Sequence, residues 1–334
     1  MSQFPDQIAL ITHAFAQRDQ LQDSLHALRL FTGFYEDCPG LILDRYNTSL
    51  VILDMNEPEK SQEIVQAVIQ WANANLDWVE SILLKQRQHP DEERRRGQII
   101  KGTALPQTID EFGVTYSIDL QINQDSSFYF DTRNLRQWLL DHSSGLRVLN
   151  TFAYTGSLGI AAGAGGAKKV VQTDLNKIFL KIAYHSWTLN ALSEDALEVI
   201  PGDFFRIMGR LRHQDRLFDC IILDPPFFST TDAGKVSLQN EMTRLINKVR
   251  PLVAHEGWLV VINNALFLSG ADFITEIETL CQSPYLDFVQ MIPVPQDVTG
   301  YPSTIKLQPP ADPAPFNHPT KIVLLKLYRK DGRR

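Results

Sequence analysis

An apolar run, Cys220-Ile-Ile-Leu223, stops at Asp224-Pro225-Pro226 and is followed by two aromatic residues, Phe227 and Phe228. Consecutive apolar residues without polar alternation suit a strand buried on both faces of a parallel sheet. Proline donates no ladder hydrogen bond, so two in succession end such a strand. Asp224 is therefore expected at the carboxyl end of a strand, the edge where open α/β sheets gather their chemistry. An acid, a rigid turn and an aromatic wall at Phe227 make a pocket suited to a nucleobase. The alternative is a plain strand-ending turn above core phenylalanines.

What precedes that run supports a doubly wound sheet. From Asp125 onward, strands and helices alternate. Strands are expected near Arg147–Asn150, Lys169–Thr173, Leu197–Ile200, Phe218–Leu223 and Trp258–Ile262, with helices over Ser157–Ala164 and Lys177–Leu192. Tyr285–Ile292 and Lys321–Tyr328 are expected to pair as antiparallel strands across a long proline-rich loop, 293–319. Earlier residues read differently. Apolar positions at near-helical spacing predict one helix over 4–30. A hairpin through Asn47-Thr48, a helix from about Glu57 to Ala74 and strands at Ser81–Lys85, Gln98–Lys101 and Val114–Leu120 complete a small α+β module. The expected organisation is a helical segment 1–30, a small α+β domain 31–122 serving as substrate module, and an α/β domain 123–334.

Composition narrows the function classes. With 44% hydrophobic residues the chain can build large cores, and no run of ~18 apolar residues or signal-like segment stands out, so a cytoplasmic protein is expected. The three cysteines, Cys38, Cys220 and Cys281, form no CxxC pair and HExxH is absent, so no metal is expected. Net charge is −7, against the basic footprint of a nucleic-acid binder. Basic residues nevertheless cluster at Arg94–Arg96, Arg206–Arg216 and Lys326–Arg334, each either a solvated face or part of a binding surface.

Asn150-Thr-Phe152-Ala-Tyr154-Thr-Gly156-Ser-Leu-Gly159 links the first strand of the alternating region to its helix. Tyr154 stands where the dinucleotide fingerprint GxGxxG has its first glycine, which argues against hydride transfer. Asp174 ends the second strand, where an acid accepts hydrogen bonds from ribose hydroxyls. Asp203 ends the third and could hold an adenine amino group. Each acid alone could equally be a helix cap. Together with Asp224, they imply an adenosine ligand without a pyrophosphate.

Phe128-Tyr-Phe-Asp-Thr-Arg133, Val148-Leu-Asn-Thr-Phe-Ala-Tyr-Thr-Gly156, Asp174-Leu-Asn176 and Leu223-Asp-Pro-Pro-Phe-Phe-Ser229 resemble, in the same order, the motifs of class I S-adenosylmethionine-dependent methyltransferases. More narrowly, they resemble large-subunit ribosomal RNA methyltransferases with FLDQR-, LNLFAYTG- and DPPxF-type motifs. The resemblance extends over roughly 30–330 and includes Asp312–Lys321. It implies a seven-stranded Rossmann-like methyltransferase sheet with a small amino-terminal α+β domain, S-adenosyl-L-methionine as cofactor and RNA as partner. It further implies Asp131 and Arg133 near the methionine end of the cofactor, with Asn150, Phe152, Tyr154 and Gly156 as the floor of the glycine turn. Asp174 would hold the ribose, Asp203 the adenine, and Asp224 with Pro225 would face the methyl group and target base. Thr132 departs from the usual glutamine, and with about thirty residues before the shared region a PUA-type RNA-binding domain is expected to be missing.

Chemistry narrows the choice of target atom. Pyrimidine C5 has no lone pair and needs a cysteine thiolate to add at C6 first. In the C5-cytosine branch of the resembling family that cysteine lies after the strand following Asp-Pro-Pro. Here the place reads Val261-Ile-Asn263-Asn264-Ala265. The paired asparagines resemble the branch that methylates guanine N7, where Asn263 and Asn264 could bond a purine edge; a strand-end turn or an exocyclic amine target remains open. The expected function is RNA base methylation. A small-metabolite methyltransferase and a non-catalytic binding protein of the same fold are the alternatives.

Overall fold

The structure is a computed structural model describing every residue except 1–3, 23–24, 227, 232–233 and 238–241, with backbone alone at 4–5, 22, 59–60, 228–231 and 234–237. Two compact units emerge, Met1–Asp131 with Pro295–Gln308, and Thr132–Val294 with Pro309–Arg334.

In the first unit, α1 (Phe4–Gln17) and α2 (Asp19–Gln22) precede a five-stranded sheet of β1 (Ala27–Thr32), β2 (Leu41–Tyr46), β3 (Ser49–Asp54), β4 (Ser81–Gln86) and β5 (Gln98–Lys101), in that order. In place of the single helix expected over 4–30, the helices end by Gln22 and residues 27–32 form a strand. Leu21, Leu25 and Leu28 do fall at helical spacing, but Leu28 and Leu30 also alternate in period 2, and cross-strand pairing of Ala27 with Tyr46 decides the outcome. The hairpin closes through Asn47-Thr48, with Tyr46 opposite Ser49 and Asn47 at φ 52°. β3 and β4 are parallel, bridged by α3 (Pro58–Asn75), whose Ile64, Val68 and Trp71 pack on Leu43, Ile52 and Leu84. The short helix α4 (Glu92–Arg96) and the hairpin of β6 (Thr108–Glu111) and β7 (Val114–Ser117) complete the unit.

A buried charge cluster ties the returning segment 295–308 into this unit. The Arg18 guanidinium donates to both Glu36 carboxylate oxygens at 3.0 and 3.2 Å and to the Asp297 carbonyl at 2.9 Å. Glu36 also accepts from the Thr32 N–H at 2.8 Å and from the Thr304 hydroxyl. The Arg29 N–H donates to Asp297 Oδ2 at 3.0 Å.

The second unit opens with α5 (Arg133–His142), then alternates β8 (Arg147–Thr151), α6 (Ser157–Ala164), β9 (Lys169–Asp174), α7 (Lys177–Leu189), β10 (Leu197–Pro201), α8 (Phe204–His213) and β11 (Phe218–Leu223). A small hairpin, β12 (Phe228–Thr231) with β13 (Gly234–Ser237), leads to α9 (Met242–Val249) and β14 (Val253–Asn263). After α10 (Gly270–Cys281) come β15 (Leu286–Met291), α11 (Gln296–Thr299) of the first unit, and β16 (Lys321–Leu327). The sheet order is β10-β9-β8-β11-β14-β16-β15. The first five of these are parallel, and β16 runs antiparallel between β14 and β15. Leu149, Val171, Ile221, Leu223, Val261 and Val323 are wholly buried in its core, as uninterrupted apolar strands demand. Successive strands run outward from β8 in one direction and from β11 in the other, so a topological switch point falls between them.

Candidate active site

The switch point puts the ends of β8 and β11 side by side. Leu223 pairs with Thr151 and, on its other flank, with Val261. The Thr151 hydroxyl donates to the Ile222 carbonyl at 2.8 Å, locking the two strand ends together. Asp224 leaves β11 there, half-buried, with Pro225 buried and Pro226 exposed. Phe227 lies outside the described residues.

On the β8 side the backbone makes an unusual loop. Phe152, Tyr154 and Gly156 all have positive φ, at 53°, 51° and 83°. Two bulky aromatic residues in the left-handed region carry a conformational cost that surrounding contacts must offset. Those contacts are visible: the Ala153 N–H donates to the Thr173 carbonyl at 2.8 Å, and the Tyr154 N–H donates to Asp174 Oδ2 at 2.9 Å. Phe152 stacks on Phe204 at 4.6 Å, and Tyr154 meets Phe179 edge-on at 4.6 Å. Gly156 is required twice over, by its φ and because a Cβ there would sit 2.4 Å from the Ala183 Cβ and 2.7 Å from Gln172 Nε2.

Gln172 is the organiser beneath this loop. It accepts from Asn150 Nδ2 at 2.9 Å and donates to the Gly156 carbonyl at 3.3 Å. Asn150 is thus buried under the glycine turn, and its Oδ1 has no hydrogen-bond partner among the described residues. A glutamine inside the apolar strand Lys-Val-Val-Gln-Thr-Asp was the available signal.

Asp174 closes β9 and braces both the loop and α7, its Oδ1 accepting from the Asn176 N–H at 2.8 Å. Burial raises its pKa, opposed by the N–H bonds from Asn176, Tyr154 and Leu175. Asp203 lies two residues beyond β10 and caps α8 by accepting from the Arg206 N–H at 3.0 Å. The two ends are joined by the Gly202 N–H donating to the Asp174 carbonyl at 2.9 Å. Asn263 ends β14, fully buried, its Oδ1 accepting from the Ala265 N–H at 2.9 Å, while Asn264 is exposed. Asp131 ends the first unit and Arg133, buried, opens α5 in the second. Thr132, beside it, occupies the N-cap position of α5, and its hydroxyl accepts from the fully buried Arg136 Nη1 at 2.8 Å.

Some of the clustered basic residues are paired within the chain. Arg216 pairs with Glu198 at 2.8 Å, Arg329 with Asp331 at 2.8 Å and Arg333 with Asp215 at 2.7 Å. No helix among the described residues is long and apolar enough to cross a membrane.

A parallel core with its switch point between β8 and β11, acids at or just past three strand ends and a glycine turn beside them define a Rossmann-like α/β unit. Residues 32–307 match the family model described as S-adenosylmethionine-dependent methyltransferase. The chain belongs to that family, whose cofactor is S-adenosylmethionine. It is 30% identical to the ribosomal RNA large subunit methyltransferase I of Photobacterium profundum over 67% of this chain and 57% of that one. Identity to the Aeromonas salmonicida protein of the same name is 32%, with the same coverage. The chain therefore spans just over half the length of these curated relatives. The crystal structure of SMU.776 complexed with SAH shares the fold at a TM-score of 0.82 and 22% identity, covering 96% of this chain and 80% of that one.

The second unit's strand ends fit this cofactor. Asp174, Asp203 and Asp224 are acceptors suited to hydroxyl, amino and cationic groups, and the buried Asn150 Oδ1 adds an acceptor not yet engaged. Asp174→Ala is expected to weaken S-adenosylhomocysteine binding by one or two charge-assisted hydrogen bonds, about 1.5–3 kcal/mol each. Asp174→Asn, which keeps one acceptor for the Tyr154 N–H, should lose less. Calorimetry finding wild-type affinity in the alanine variant would remove Asp174 from the cofactor site.

Proposed function

We propose that this protein transfers a methyl group from S-adenosylmethionine to a base of large-subunit ribosomal RNA, at a ring nitrogen such as guanine N7 rather than at cytosine C5. The RNA substrate is supported by relatives named as large subunit ribosomal RNA methyltransferases. One observation carries the choice of atom: the strand end beside the Asp224 turn holds a buried Asn263 and an exposed Asn264, and no thiol. Cys220 is buried within β11, its thiol pushed up to about 12 by burial. Burial likewise raises Cys38, to about 11, and Cys281. None is poised as the thiolate that C5 chemistry needs.

When bound, S-adenosylmethionine supplies an electrophilic methyl group on a sulfonium centre. A purine N7 attacks with its own lone pair and loses no proton, so the chain needs no general base. Its work is positioning and electrostatics. The Asp224 carboxyl group, held on a proline-stiffened turn, accepts hydrogen bonds and offsets positive charge developing on the purine. Asn264 offers amide groups to the base edge.

A Cys38→Ser/Cys220→Ser/Cys281→Ser variant is expected to keep its methylation rate per folded molecule. The measurement is methyl incorporation into large-subunit ribosomal RNA from cells lacking the gene, followed by nuclease mapping of the modified base. Covalent trapping of the protein on 5-fluorocytosine-substituted RNA would overturn the ring-nitrogen assignment.

A further inference from the structure

Phe267 is the most exposed of the large apolar side chains described, at 69%, and its neighbour Leu266 is 51% exposed. Both lie just past the carboxyl end of β14, in the loop to α10. That location matters because β14 is the strand beside β11: Leu223 pairs with Val261, so one step further sets Asp224 alongside Ile262. The two residues therefore emerge at the same sheet edge as the Asp224 turn, on the flank away from the glycine loop.

The loop that carries them is not slack. Ala265 is buried and held from both directions: its N–H donates to Asn263 Oδ1 at 2.9 Å, and its carbonyl accepts from Lys321 Nζ at 3.0 Å. Lys321 is itself fully buried, opposite Asn263 on β16, and donates a second bond to the Pro319 carbonyl. Burial lowers its pKa to about 8. Ser269 then caps α10, accepting from the Asp272 N–H at 3.0 Å. A buried lysine and a buried asparagine clamp one residue, and the next two are left apolar and in water. Core packing explains neither Leu266 nor Phe267.

We infer that Phe267 is a stacking platform for an unstacked RNA base next to the one being methylated, with Leu266 as its apolar margin. The inference rests on the RNA-methylation reading. A flat ring on a rigid mount suits a base face, since stacking tolerates any base and needs no hydrogen-bond partner. Two side chains are too small a patch for a protein partner, which needs on the order of 800 Å² on each side. Adjacency of β14 to β11 in the sheet register puts the platform at the same carboxyl edge of the sheet as the candidate site.

The test compares the wild-type protein with Phe267→Ala, Phe267→Leu and Phe267→Trp. Affinity is measured by filter binding for protein-free large-subunit ribosomal RNA made by transcription, and by calorimetry for S-adenosylhomocysteine. Phe267→Ala should weaken RNA binding roughly tenfold, within the range of losing one stacked base, with cofactor affinity unchanged. Phe267→Leu should behave like the alanine variant, and Phe267→Trp should bind as well as wild type. Equal RNA affinity in the alanine variant, or full retention by leucine, would overturn the platform while leaving the methylation reading standing. A wild-type dimer that Phe267→Ala dissociates would assign the patch to a second copy of the chain and also overturn it. A wild-type protein that binds S-adenosylhomocysteine but no RNA would overturn both readings together.

Discussion

Asp224→Ala is expected to lower single-turnover methyl transfer by on the order of 10²-fold or more, with the fold intact. The expectation runs from the backbone outward. β11 is paired on both sides, by β8 and β14, and its last residues are wholly buried. The Thr151 hydroxyl bond to the Ile222 carbonyl fixes the strand two residues before the acid. Pro225 and Pro226 restrict the backbone after it. The carboxyl group is consequently delivered to one place without reorganisation, which is what a transition-state acceptor needs. It is only half-buried, so its removal leaves no large cavity. Asp224→Asn should recover part of the positioning and little of the charge term. Rates and S-adenosylhomocysteine affinity measured together separate these terms. An alanine variant transferring methyl at near wild-type rate would end the catalytic assignment of this turn.

Arg18→Ala is expected to destabilise the first unit by about 3–5 kcal/mol, the loss associated with stripping one partner from a buried ion pair. Both side chains are essentially without solvent exposure, and the bidentate contact with Glu36 is 3.0 Å at its shorter arm. Without the guanidinium, Glu36 would keep, among the described residues, the Thr32 N–H and the Thr304 hydroxyl. The Asp297 carbonyl would also lose its donor, loosening the return segment 295–308. Pairing Arg18→Met with Glu36→Leu should cost much less than the sum of the single changes. Denaturant unfolding of the singles and the double gives the coupling energy. An additive cycle would show that the pair contributes nothing as a pair.

Strand–helix alternation made the seven-stranded unit legible because buried parallel strands announce themselves as apolar runs and their ends as acids, glycines and prolines. Asp174, Asp203 and Asp224 could be placed at strand ends for that reason. What a run of residues does not reveal is which groups are already committed. Asp203 caps a helix, Asn263 bonds Ala265, and Asn150 reaches Gln172 across the sheet, all through contacts made only after the chain closes on itself. The basic tail shows the same limit: Arg333 and Arg329 find Asp215 and Asp331 once folded. The strand at 27–32 was hidden because its leucines satisfy a helical and a period-2 pattern alike. The loop 293–319 concealed a division, Pro295–Gln308 joining one unit and the residues on either side the other.

The position of β16 sets an order on assembly during synthesis. β15 meets the sheet only through β16, which is translated some thirty residues later and wedges between β14 and β15. As the chain leaves the ribosome, the five parallel strands can gather in sequence around β8 while β15 has no neighbour to dock against. Its Phe288, Val289 and Met291 remain part-exposed even in the finished sheet, and before β16 arrives they have still less cover. Lys321, the first residue of β16, also anchors Ala265. The anchor that holds Ala265, next to the Asp224 turn in the sheet register, therefore forms only once β16 has docked beside β14.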